Sequence, residues 1–188
     1  MAKEDYFEVL EALGGITLGL IKNTFAKQNA RDTGELRKEF DKIKCTVETR
    51  LFSDFVPPIQ REDIARVLHC LSRVADSAYF MAISSRNDMI LLKTGRGDLR
   101  QICLSLAQRL QNTVLLFKKL RLPSCIPEID KYRTELLLGQ EVLSELALRV
   151  RGGALPRYAH NDILAARELL LALSDCFDCL VEVMLNNI

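Results

Sequence analysis

Asp41, Asp76 and His69 are the side chains of this 188-residue sequence whose types and spacing best suit them to chemistry. The two aspartates stand at comparable distances before and after the Pro57-Pro58 pair. Consecutive prolines cannot continue a helix, because proline lacks an N–H and disfavours α geometry in the residue before it. With one helix entering that corner and another leaving it, a rise of about 1.5 Å per residue in each arm sets both carboxylates at about the same height. Winding at roughly 100° per residue carries both off the apolar line of their helices and onto the outer surface. Carboxylates facing each other from adjacent helices are how helical bundles collect hard or borderline metal ions. His69 shares the flank of Asp76 and falls near the level of Glu48, which makes it either a further ligand or a surface histidine paired with a carboxylate. The Glu-x-x-His motif of di-iron bundle oxidases is absent, and the only histidines are His69 and His160.

Other chemistry is sparse. The sequence has no glycine-rich phosphate loop, no nucleophile elbow and no recognisable base–nucleophile pairing, so nothing in it proposes covalent catalysis. The cysteines at 45, 70, 103, 125, 176 and 179 are scattered without a framework, and buried free thiols acting as small hydrophobes are the default. Cys176-Phe-Asp-Cys179 has CxxC spacing but lies mid-helix without a second pair, a weak redox or zinc signal. A formal net charge of +1 gives no general attraction for nucleic acid. The cluster Lys118-Lys119-Leu-Arg121 closes a helix, where the dipole favours cations. The N-terminus lacks the basic-then-apolar pattern of a signal peptide, and no apolar run approaches the roughly 18 residues of a membrane span. A cytoplasmic protein without direct membrane insertion is expected.

The elements that must position these residues are helices. Apolar residues make up 48% of the chain and charged residues 27%, and the 9 Gly and 5 Pro cluster at a few places, a balance suited to long amphipathic helices. The periodicity predicts a first helix from about Asp5 to Lys27 and a second from about Thr33 to Phe55, with Leu36, Phe40, Ile43, Val47 and Leu51 on one line. A third starts after Pro58, with Glu62 and Asp63 in its first turn, and ends near Ala82. A polar stretch, Ser84 to Asp88, and then Thr94-Gly-Arg-Gly97 form a connection. Asp98 caps a fourth helix, and Pro123 and Pro127 separate it from a fifth that runs to about Val150. Arg151-Gly-Gly-Ala-Leu-Pro156 is a stop, and Asn161 or Asp162 caps the last helix. The order is three helices, a connection and three more, dividing a single domain at 1–188 into halves of about 1–88 and 96–188. Arg96-Gly97-Asp98 reads as a loop followed by the helix cap.

At the corner, Phe55-Val-Pro-Pro-Ile-Gln-Arg-Glu-Asp-Ile64, the chain resembles the PhoU-like family of phosphate transport regulators, encoded beside low-affinity inorganic phosphate transporters. The family typically reads Phe-Ile-Thr-Pro-Ile-(Asp/Glu)-Arg-Glu-Asp-Ile there. The opening Tyr6-Phe-Glu-Val-Leu-Glu11 and the helix order are similar too, with the second half more divergent. The resemblance implies an all-α fold of six long helices arranged as two similar three-helix bundles. It also implies outward-facing Glu-x-x-x-Asp motifs that hold iron or zinc clusters. Matched position by position, these fall on Arg37 and Asp41, on Ser72 and Asp76, roughly on Arg133 and Leu137, and on Ser174 and Asp178. Every leading acid is replaced, and one trailing Asp is lost. Asp41, Asp76 and Asp178 remain as candidate metal ligands, while Arg37 and Arg73 bring positive charge that opposes a cation. Pairing of the aspartates with arginine is the competing expectation, for instance Arg73 near Asp41.

Three functions follow as expectations. The first is a non-enzymatic regulator or accessory protein without a cofactor, binding a phosphate transporter or its regulatory machinery. The second is a metal-binding bundle that stores or senses iron, zinc or manganese through Asp41, Asp76 and His69. The third is a general helical interaction module. Self-association is expected, since long bundles often expose an apolar helix face.

Overall fold

The computed structural model describes residues 6–26, 30–53, 59–84, 93–117, 122–157 and 159–187. Six helices carry the fold: α1 (Tyr6–Phe25), α2 (Ala30–Ser53), α3 (Arg61–Ser84), α4 (Leu99–Phe117), α5 (Leu122–Arg151) and α6 (Ala159–Asn186). Helix α1 packs on α3 and α4, and α6 packs on the same two, so these four helices form a central ring. Helix α2 lies against α1 and α3 on one side, and α5 against α4 and α6 on the other. The result is two three-helix units, α1–α3 and α4–α6, joined through one core. No described helix is long and apolar enough to cross a membrane.

The periodicity explains which faces meet. Leu10, Leu13, Leu20 and Ile21 of α1, Ile64, Leu68 and Leu71 of α3, Leu106 and Leu110 of α4, and Leu169, Leu173 and Leu180 of α6 are all essentially inaccessible to solvent. Two polar groups inside this core are satisfied. Thr24 Oγ1 donates to Leu20 O at 2.8 Å or to Ala78 O at 3.0 Å, which ties the end of α1 to α3. Asp63, in the first turn of α3, accepts from Asn187 Nδ2 at 2.8 Å, which ties that turn to the far end of α6.

Helix α2 starts at Ala30, three residues ahead of the expected Thr33, and two later helices also begin away from their expected positions. Helix α5 starts at Leu122, ahead of both prolines that were expected to precede it. Proline is tolerated in a first turn because its missing N–H would have no intrahelical partner there. Only Pro127 costs a helical bond, since its N–H would have faced the carbonyl of residue 123. Helix α6 begins at Ala159, with Asp162 buried inside the first turn instead of capping it. The cap at Asp98 is present, with Oδ1 accepting from the Arg100 N–H at 3.0 Å.

The stop after α5 is a Schellman turn. Ala154 N–H donates to Arg149 O at 2.8 Å, Gly153 N–H donates to Val150 O at 3.1 Å, and Gly153 has φ of 74°. Between the halves, Lys93–Thr94 (β1) and Gly97–Asp98 (β2) pair antiparallel around Gly95 and Arg96, a short hairpin where the sequence predicts a loop. Arg96 fastens it to α5 through Glu141 at 2.9 Å. The Pro57-Pro58 corner, the polar stretch 85–88 and the basic cluster 118–121 lie outside the described residues.

Candidate functional site

The outer face between α2 and α3 holds the carboxylates singled out from the sequence. Asp41 and Asp76 are both about half exposed and stand at one height, as equal arms from a corner require. What lies between them is a guanidinium. Arg37 donates Nη1 to Asp41 Oδ1 and Nη2 to Asp76 Oδ1, each at 2.5 Å. The Arg37 side chain is only 16% exposed, and its guanidinium carbon lies 5.3 Å from the centre of the Phe40 ring beneath it. Ring and carboxylates together hold the guanidinium in place.

Two turns beyond Arg37 on α2, Lys44 Nζ donates to Ser72 Oγ at 3.2 Å and pairs with Glu48 at 3.7 Å. Thus Arg37 stands at the leading position of the first matched motif, and Lys44 sits on Ser72, the leading position of the second. Both places that would give carboxylates to a cluster carry positive charge instead. This donor set does not fit an iron or zinc ion, because a fixed guanidinium takes the oxygens that would be ligands and repels the metal as well.

The remaining candidates do not join this cluster. Asp178 is exposed on α6, Arg133 and Leu137 are exposed on α5, and Ser174 is half-buried. His69 is exposed, and its expected neighbour Glu48 is engaged by Lys44. Among the described residues, no three His, Cys, Asp or Glu side chains converge as a ligand set. Arg73, expected beside Asp41, reaches the other way and donates to Asp175 of α6 at 2.7 Å. Asp41 takes its arginine from its own helix, four residues earlier, a spacing visible in the sequence.

A second cationic bridge, between α4 and α5, was not anticipated. Arg109 donates to Glu128 Oε2 at 2.9 Å and to Glu135 Oε1 at 2.8 Å, and all three side chains are largely shielded from solvent. Burial raises the Glu135 carboxyl, but hydrogen bonding and charge from Arg109 outweigh it and hold the group below its usual 4.5. A depressed carboxylate contributes stability above its unfolded pKa and loses it as pH falls through the folded one. Wild-type stability should therefore decline as pH drops below about 4.5, and Glu135→Gln should flatten that part of the acid limb. Arg109→Ala, which leaves two shielded carboxylates facing each other, should cost roughly 1–3 kcal/mol at neutral pH. Urea titrations of the three proteins between pH 3 and 7 (a range of about four units) read both effects.

No family model matches the chain, and no curated protein matches it in sequence. Solved structures do. A PhoU-like protein from Shewanella oneidensis superposes with a TM-score of 0.70 over 97% of both chains at 13% identity. The fold is PhoU-like. A second protein of that organism, described as a PhoU-like phosphate regulatory protein, gives a TM-score of 0.66 over 97% of this chain and 96% of that one, at 14% identity. The all-α arrangement of six helices in two three-helix units is thereby shared across nearly the full length, with few residues in common. Fold and resemblance agree; of the corner that carried the resemblance, residues 59–64 are described and 55–58 lie outside the described residues.

Proposed function

We propose that this protein is a cytoplasmic, non-enzymatic regulator or accessory factor of phosphate transport that works by binding a partner. The observation that carries this reading is the PhoU-like fold, matched over 97% of the chain to a protein described as a phosphate regulator. The corner sequence around Arg61-Glu62-Asp63 supports it independently. The partner is a phosphate transporter or its regulatory machinery, and self-association belongs to the same reading. On the α2–α3 face the scaffold works without iron or zinc, with Arg37 in the place of an ion between Asp41 and Asp76.

The experiment is affinity purification of the tagged chain from its own cells, with crosslinking before lysis, alongside phosphate uptake in a strain lacking the gene. Enrichment of a phosphate transporter or its regulator, with uptake altered at least about twofold, is the expected outcome. Unchanged uptake together with partners unrelated to phosphate would leave a general helical interaction module.

A further inference from the structure

The seam between the two halves carries a thiol pair framed by two ion pairs. Among the described residues, helices α3 and α6 share the most extensive helix–helix contact. Along one edge of it, Arg73 pairs with Asp175 at 2.7 Å and Arg66 pairs with Glu182 at 3.1 Å. Residue numbers rise along α6 as they fall along α3, so the helices run antiparallel with their register held at both ends. Between these rungs lie Cys70 and Cys179, which the register set by the two ion pairs brings opposite each other across the seam. Cys70 is half-buried and reachable, whereas Cys179 is buried behind it.

The electrostatics divide the roles. Interaction with the adjacent Cys179, followed by the positive charge of Arg73 and the weaker effect of Arg66, lowers Cys70 against burial and against Asp175. Interaction with Cys70 and burial push Cys179 up, as does neighbouring Cys176. Cys176 faces the core and is raised well above the usual thiol range by burial. Cys70, which solvent reaches and which lies between the Arg66 and Arg73 rungs, is thus placed as the nucleophile, and the buried Cys179 is its resolving partner.

We propose that Cys70 and Cys179 are a peroxide-responsive dithiol that closes to a disulfide across the α3–α6 seam. The Cys70 thiolate attacks one oxygen of hydrogen peroxide, breaks the O–O bond and releases hydroxide, leaving a sulfenic acid. The Cys179 sulfur then attacks the Cys70 sulfur and breaks the S–O bond. Its proton leaves with the departing oxygen as water. Two thiols and one peroxide become one disulfide and two waters. The product joins the two three-helix units covalently, and a dithiol reductant reopens it by exchange.

The test uses the full reduced chain with hydrogen peroxide, quenching with N-ethylmaleimide and peptide mapping by mass spectrometry without reductant. A peptide linking Cys70 to Cys179 should dominate the oxidised products and vanish on treatment with dithiothreitol. In the untreated protein at neutral pH, Cys70 should react with maleimide about tenfold faster than Cys45, which is exposed on α2. In Cys179→Ala, oxidation should stop at a Cys70 sulfenic acid that dimedone traps, and Cys70→Ala should leave Cys179 unmodified. Linkage of Cys70 to Cys176, linkage between separate chains, or Cys70 reacting no faster than Cys45 would each overturn the proposal. The wild-type map decides the point even where a variant folds poorly.

Discussion

Phe177→Ala should be among the most destabilising single changes in the core, lowering unfolding stability by about 3–5 kcal/mol. Phe177 of α6 and Tyr132 of α5 are both buried at 1% exposure, with ring centroids 3.7 Å apart and planes within 5° of parallel. Aromatic quadrupoles oppose one another in so direct an overlap. What holds the rings together is therefore burial between helices, and removing one ring leaves a cavity that the surrounding helices can only partly fill. Against a total stability of about 5–15 kcal/mol, the loss should lower Tm by roughly 10 °C, read by circular dichroism and by the urea midpoint. Tyr132→Phe is the matching control. The Tyr132 hydroxyl is buried with no hydrogen-bond partner among the described residues, and burial drives its pKa well up. Deleting it should be neutral or stabilising by about 1 kcal/mol, since an unsatisfied buried group costs energy that its removal returns. A Tyr132→Phe protein as weakened as Phe177→Ala would mean that the hydroxyl is bonded and that this account of the contact is mistaken.

The same physics separates what the sequence discloses from what it hides. Helix faces were legible because a buried stripe repeats every three to four residues, as in Leu36, Phe40, Ile43, Val47 and Leu51 of α2. The approach of Asp41 to Asp76 was legible too, because two arms leaving one corner share a common origin for counting. Pairings between the halves were not, since no local period sets the register of α3 against α6. For that reason Arg73 was assigned to Asp41 within its own hairpin, while its true partner Asp175 comes from the distant α6. For the same reason the CxxC spacing of Cys176 and Cys179 was visible in the sequence, while the placing of Cys70 opposite Cys179 across the seam was not. Arg109 gave no signal, because Glu128 and Glu135 reach it from another helix beyond a proline-bearing start that looked like a connection. Proline marked the neighbourhood of that boundary correctly and its position wrongly, as expected of a residue that forbids a helix interior but suits a first turn.

The double variant Arg37→Glu with Ser72→Glu should turn the α2–α3 face from an ion-pair cluster into a metal site. It removes the guanidinium held between Asp41 and Asp76 and restores Glu-x-x-x-Asp spacing on both helices. Two opposite charges about 4 Å apart at a partly exposed site interact by roughly 4 kcal/mol before screening. Converting one repulsive cation to an attractive carboxylate, and adding a second carboxylate, therefore involves several such terms. Even heavily discounted for solvent and salt, the change should raise affinity for iron or zinc at least about a hundredfold. Ser72 is buried at 5% exposure, so its replacement has a cost of its own. Lys44, which donates to Ser72 Oγ, is placed to pair with the new carboxylate, which offsets part of that cost and sets the lysine in competition with the ion. Elemental analysis of tag-free protein purified without chelators should find the wild type metal-poor and the double variant carrying near-stoichiometric metal. Arg37→Glu alone should be intermediate, because it supplies three carboxylates where the double variant supplies four. Wild-type protein that already holds stoichiometric iron or zinc would overturn the placement of Arg37 as the occupant of the site and bring metal sensing to the front. A double variant that folds and stays metal-free would show instead that four carboxylates on this face are too widely spaced to share an ion, whatever their charge.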